Sequence, residues 1–431
     1  MSFESRRGVV TIDSRGQSGG TTLALTQFRP RALLFWWAER DTLGRHDGNR
    51  GGIGIHVDGG RAVAHAWFAD DRVATDAVVH AVGDFAMYSL ASPFASAPAC
   101  VAEAALRDDG FALHWSATTN SAWDVHYLAF GGSDLREAAI ASLELTHDHS
   151  RIVAEVGFRP DFALFVPTAS GGSDDPSPGL FYGIGMAAGP DRQGATGVAA
   201  RVADTTVVVR SAQRADSVVA LPDVDGATPF RALARLAEVG PSGLALAVSV
   251  DRAASPVPVA CLALAGGRYS IARHVGPPRP GRDRARGVGF TPVGVLAFSW
   301  GLASFAEIKE VPRLSVGAAD RIGCGCLSWT LRPRGLWPLE PRSRSTEGCL
   351  FEAVDTRSRA LHACARFGDV DEDGFTLEWP ESDGKSREFI YAAFGSTDLN
   401  PTRRRPRMQI ARRLLGISAS KQRLEDRLSD G

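Results

Sequence analysis

The stretch Gly157-Phe158-Arg159-Pro160, running straight into the apolar "DFALFV", decides how this sequence is read, because nearly the same words occur twice more. "QFRPRALLFWW" fills 27–37 and "GFTPVGVLAFSW" fills 289–300. Each copy is Phe-x-Pro followed by an apolar, strand-like run. The phenylalanines Phe28, Phe158 and Phe290 stand 130 and 132 residues apart. Repetition at so even a spacing is settled before any local feature, since missing it misreads the whole fold.

Further anchors recur in the same order. "DDGFALHW" at 108–115 returns as "PSGLALAV" at 241–248 and as "DEDGFTLEW" at 371–379. "VHYLAFGGSDL" at 125–135 returns as "VACLALAGG" at 259–267 and "FIYAAFGSTDL" at 389–399. A weaker anchor, "GGIGIHV", "YGIGMAA" and "LSVGAAD", begins at Gly51, Tyr182 and Leu314. The units are 1–136, 137–270 and 271–400, followed by a tail at 401–431. Units of this size far exceed the roughly 20–50 residues of a solenoid repeat, so each is large enough to hold a core of its own.

The anchors read as strands. Proline suits a strand's entry and not its centre. "FALHW" and "FTLEW" alternate with period two. The glycine that opens this anchor, after aspartate in two of the copies, supplies a tight turn, because glycine tolerates positive φ. "FRALARLAEVG" at 230–240 looks helical by propensity, but its repeat partners lead into the same strand anchor, so it is read as a strand. Short strands separated by Gly, Pro, Asp and Ser indicate an all-β chain. The expectation is three tandem pseudo-repeated antiparallel β-sandwich or jelly-roll-like domains, with a short basic helix at the C-terminus.

Composition excludes several classes. The net charge of −1 over 431 residues is not that of a polyanion binder. The first residues lack an apolar h-region, and no stretch approaches the roughly 18–20 apolar residues of a membrane span, which points to cytoplasmic synthesis. The cysteines Cys100, Cys261, Cys324, Cys326, Cys349 and Cys364 do not recur at equivalent places and read as small buried side chains. "CGC" is too tight for a zinc knuckle.

No nucleophile elbow, H-E-x-x-H, P-loop or paired C-x2-C is present. His147 and His149 flank an aspartate at a unit boundary, where a polar connection explains them better than a metal pair. The pairs Asp70-Asp71, Asp108-Asp109 and Asp174-Asp175 read as turn chemistry; calcium there lacks a full ligand loop. No catalytic residue, metal or cofactor is expected. Trp36 and Trp37 are adjacent, so on a strand they point to opposite faces. One of them is then either exposed, as a sugar-stacking platform or a protein anchor, or buried under another unit. Trp36, Trp37, His56 and Asp58 are the candidate ligand-binding residues. The tail holds nine Lys and Arg against three Asp and Glu. Arg403, Arg404, Arg405, Arg407, Arg412 and Arg413, with Ile410 and Leu414 on an apolar helical face, are the candidate partner-binding residues.

The combination of Phe-x-Pro with its apolar run, Asp-Gly-Phe-x-Leu-x-Trp and Tyr-Leu-Ala-Phe-Gly-Gly resembles the repeated β-domains of virion and tail-associated proteins of bacteriophages and phage-like particles. The resemblance spans most of 20–400; in the middle copy Leu244 replaces the phenylalanine and Val248 the tryptophan. It implies a non-enzymatic structural role, as a decoration, tail-tip, collar or fibre-base protein in a symmetric or homo-oligomeric assembly. What repeats is glycine, proline and apolar scaffold, while polar positions drift, which suits an assembly component better than a trivalent receptor. The alternative is a carbohydrate-binding adhesion module recognising cell-surface glycan; nucleic-acid contact by the tail is a further expectation. A glycosidase with paired carboxylates is the least supported reading.

Overall fold

In the computed structural model, apolar runs become strands of two kinds, set by whether one face or both are covered. The structure describes residues 2–40, 49–69, 77–83, 85–91, 98–146, 148–168, 177–178, 180–203, 206–224, 228–251, 256–299, 308–309, 313–333, 339–354 and 361–397. All regular structure among them is β, in six antiparallel sheets. The expected C-terminal helix lies outside the described residues.

The first copy builds a larger sheet from β1 (Glu4–Asp13), β10 (Ala122–Gly131), β3 (Pro30–Arg40), β4 (Asn49–Val57), β5 (Ala62–Ala69) and β6 (Ala77–Gly83), in that order. Its smaller sheet runs β2 (Gly19–Leu25), β9 (Gly110–Ala117), β8 (Pro98–Arg107), β7 (Met87–Leu90). The second copy repeats the order with β11 (Glu137–Leu145), β21 (Val257–Ala265), β13 (Phe162–Pro167), β15 (Leu180–Ala187), β16 (Gln193–Ala203) and β17 (Thr206–Arg214). Its smaller sheet is β12 (Arg151–Glu155), β20 (Gly243–Asp251), β19 (Phe230–Val239), β18 (Val219–Pro222). The third has β22 (Arg268–Gly276), β32 (Arg387–Gly395), β24 (Gly294–Ser299), β26 (Arg313–Asp320), β27 (Cys324–Pro333) and β28 (Leu339–Glu347). Its smaller sheet is β23 (Gly281–Ala285), β31 (Gly374–Ser382), β30 (Leu361–Asp371), β29 (Phe351–Val354). The three sandwiches therefore share one topology. The helix-like segment at 230–240 is strand β19, as its repeat partners require.

Two short strands tie copies together. β14 (Ser177–Pro178), from the second copy, adds to the edge of β6, and β25 (Ile308–Lys309), from the third, adds to the equivalent edge of β17.

Each sandwich closes its own core between its two sheets. The outer faces of the three larger sheets meet in a further core that draws on all three copies. The first strand of each copy packs on the fourth or fifth strand of the copy before it: β11 on β4, β22 on β16, β1 on β26 and β27. These contacts close a ring with pseudo-threefold symmetry within the compact unit Met1–Thr397. The central strands of the larger sheets are thus covered on both faces, which is why β3, β13 and β24 carry unbroken apolar runs while β9 and β31 alternate.

The repeated glycines mark close approach of backbone. A Cβ on Gly54, Gly185 or Gly317 would overlap the carbonyl oxygen of Ala86, Val218 or Leu350, the residue just before β7, β18 or β29. A Cβ on Gly110, Gly243 or Gly374 would likewise overlap the carbonyl of Ala24, Ala154 or Ala285. Of that second set positive φ occurs only at Gly374, at 158°. The turn reading of these glycines is therefore corrected: the shared demand is room for a neighbouring carbonyl, not a left-handed backbone. The Phe-x-Pro and Gly-Gly anchors recur together for a related reason: the rings of Phe28 and Phe290 lie over Gly131 and Gly395.

Candidate functional site

The candidate ligand residues do not gather. Trp36 and Trp37 point to opposite faces, as adjacent strand residues must, but both faces are buried. Trp36 enters the shared core, 5.6 Å from the ring of His126 in a stacked arrangement. Trp37 fills the core of the first sandwich. Their exposures of 1% and 0% are those of the buried alternative and not of a sugar-stacking platform: the third layer, formed by the other copies, covers the face that a lone sandwich would leave wet. His56 is buried and lies across from Leu33, on the face turned into the first sandwich. Asp58 is exposed and pairs with Arg29 at 3.4 Å. The tail residues Arg403, Arg404, Arg405, Arg407, Ile410, Arg412, Arg413 and Leu414 lie outside the described residues, as do His147, Asp70-Asp71 and Asp174-Asp175.

What the structure does bring together is the axis. Trp67 of the first copy stacks on Tyr182 of the second, with ring centroids 4.2 Å apart, and meets Trp329 of the third edge-on at 5.0 Å. A second aromatic group joins Phe3 and Phe130 to Phe162, Tyr269 and Phe394. Sequence reading left these residues unassigned. Their signal is an aromatic side chain one strand position away from a sandwich-core residue, which only a covered outer face explains.

The ionisable groups with shifted titration are mostly buried within this packing. Burial pushes the Cys100 thiol up to about 12, and the thiols of Cys261 and Cys326 upward as well. Burial, with the charge of Arg7, lowers His126 to about 3. Its Nε2 lies 2.8 Å from the Ser345 hydroxyl of the third copy. Cys349 and Cys364 form a disulfide, which corrects the reading of all six cysteines as plain apolar side chains; the other four are free and buried. Among the described residues no group of three His, Cys, Asp or Glu is placed to hold a metal ion. The acidic turn at Asp108 and Asp109 is occupied by Arg29 and Arg107.

A polar concavity of about 470 Å³ opens at the end of the first sandwich, between the turn carrying Ser14 and Gln17 and the loop carrying Thr118 and Asn120. Its lining is uncharged. The Ser14 hydroxyl lies within donating distance of the carbonyls of Thr119 and Ser121 and accepts from the Ser121 amide, so it is spent on holding the two loops together.

The outward faces differ from copy to copy. Equivalent positions on the smaller-sheet edges carry Leu23, Val153 and Arg284, each set by its cross-strand partner Ala112, Ala245 or Thr376. No protein-family model matches the sequence, and comparison with curated proteins gives no match either.

Proposed function

We propose that this chain is a non-enzymatic structural component of a phage or phage-like particle, acting through protein–protein contacts. The observation that carries the reading is three sandwiches of identical strand order, closed on one shared core, whose inner positions repeat and whose outer faces diverge. One chain thus presents the shape of a trimer with three distinguishable sides. That suits a position where a threefold or sixfold structure meets a partner of lower symmetry. The basic tail at 401–431 supplies a docking arm in this reading, to a particle protein or to packaged nucleic acid.

The alternative of a carbohydrate-binding module loses the exposed indoles that motivated it. The test is purification of particles from the producing cells, with mass spectrometry of the particle proteins. Stoichiometric recovery of the chain with the particle is expected, and its loss on deletion of 401–431; absence from purified particles overturns the proposal.

A further inference from the structure

Edges of β-sheets invite pairing, and folded proteins blunt them by covering, shortening or charging them. This chain does so at most of its edges. β14 covers β6 and β25 covers β17. The first strands β1, β11 and β22 are packed on the neighbouring copy. The smaller-sheet edges β12 and β23 are five residues each and charged, reading "RIVAE" and "GRDRA".

β2 has none of these protections. It is the edge of its sheet, with β9 on one side and no strand on the other among the described residues. It is seven residues long, "GGTTLAL", with neither charge nor proline. Its register with β9 runs unbroken from Gly19 to Leu25, so no bulge twists the edge away. Leu23 and Leu25 stand on its outward face at 59% and 67% exposure. At the place of Leu23 the third copy has Arg284, and at the place of Leu25 the second has Glu155.

We propose that β2 is a self-association edge, through which two copies of this chain pair antiparallel about a twofold axis at Leu23. The pairing joins two four-stranded sheets into one of eight. It places Leu23 opposite Leu23 and Leu25 opposite Thr21, so the exposed leucines of both copies form one apolar strip. A second copy is the occupant that the edge itself specifies. An uncharged strand meets its own twofold image without like charges in opposition, whereas β23 paired with itself about Arg284 sets arginine against arginine. Backbone pairing at an edge is also how this chain already seats β14 and β25. One strand pair is small against the roughly 1,200–2,000 Å² of a standard interface, so the dimer is weak and concentration-dependent. Such a contact gains strength where many copies are held together. The inference does not depend on the particle reading.

Sedimentation equilibrium of the full chain at rising concentration tests it. The expected result is a monomer–dimer equilibrium that the double substitution Leu23→Lys, Leu25→Lys weakens by roughly tenfold or more, because lysine then opposes lysine at the axis. Val153→Lys, at the equivalent position of β12, leaves the equilibrium unchanged. As a second measurement, Leu23→Cys forms a covalent dimer under mild oxidant and Val153→Cys does not; the four native thiols are buried and do not compete. A wild-type chain that stays monomeric throughout, or a dimer that survives both lysines at unchanged affinity, overturns the proposal. Should the lysine variant fail to fold, the cysteine pair decides alone.

Discussion

The backbone amide of Arg7 donates to the carboxylate of Asp320 at 3.1 Å, and this bond crosses the seam where the first copy meets the third. By strand register Arg7 stands where Ile140 and Ile271 stand, opposite Leu128, Leu262 and Ala392. Asp320 stands where Val57 and Ala188 stand. Those four counterparts belong to the shared core, so the two seams between consecutive copies are apolar there. The third seam, which no linker joins, is polar at these positions. His126 with Ser345, and Asp134 with Ser396 and Thr397, continue it. Directional bonds fix the register of two faces that the chain itself does not tether.

Asp320→Ala removes the acceptor for three backbone amides at once, those of Arg7, Ile322 and Gly323. The donors are only partly buried, so water takes up some of the loss and the cost is about 1 kcal/mol, near the net worth of one hydrogen bond. The expected outcome is a lower urea midpoint with the fold retained. Unchanged stability would show that the seam is held by apolar contact alone.

His126 makes the fold acid-sensitive. Burial lowers it to about 3, whereas an unfolded histidine takes up its proton near pH 6.5. Between those values the unfolded state binds more protons, so stability falls as pH falls, by at most about 1.4 kcal/mol per pH unit. Thermal melts from neutral to acid pH should show this slope, and His126→Gln should flatten it. A slope identical in both proteins assigns the acid sensitivity to carboxylates instead.

Glu352 works in the opposite sense. It is buried where the other copies have Tyr88 and Ala220, and burial pushes its carboxyl up against the pull of Thr346 and Arg344. A carboxyl raised in the folded state binds more protons there than in the unfolded chain, so its penalty appears as pH rises above the ordinary glutamate range. Glu352→Ala should raise the melting temperature at neutral pH. The advantage over wild type should vanish in acid, where the wild-type carboxyl is protonated in both states.

Gly185→Ala should prevent assembly of the second sandwich, because its Cβ meets the Val218 carbonyl, which is backbone and has nowhere to move. The expected readout is loss of soluble protein. Gly189→Ala is the contrast: that glycine meets nothing within 4 Å, and its cost is only the strain of φ 123°. Equal behaviour of the two variants would refute the close-approach account.

These glycines show what was legible in the sequence. A residue demanded by backbone contact within one sandwich survives in every copy, so Gly54, Gly185 and Gly317 appear as an anchor. The repeat places the strands for that reason, and overrules helical propensity at 230–240. Contacts between copies leave no such trace. Trp67 and Trp329 occupy equivalent positions, opposite Gly51 and Leu314, but the second copy has Val198 there, opposite Tyr182. The aromatic hub is therefore assembled from unlike residues that no periodicity links. For Trp36 and Trp37 the adjacent spacing requires opposite faces but leaves open whether the second face is wet or lies under another unit; only the third layer decides that.

The hub gives the sharpest test of the closed ring. Trp67 touches Tyr182 and Trp329 across two different seams. If the ring is one cooperative body, Trp67→Ala and Tyr182→Ala each cost about 3–5 kcal/mol, the range for truncating a buried aromatic. The double variant should then fall short of their sum by about 0.5–1.5 kcal/mol, the worth of a stacked aromatic pair beyond its burial. Both should shift a single unfolding transition, because the core they share belongs to no one copy. Strict additivity, or two separate transitions of which Trp67→Ala moves only one, would mean that the sandwiches fold as independent beads and that the axis is a contact rather than a core.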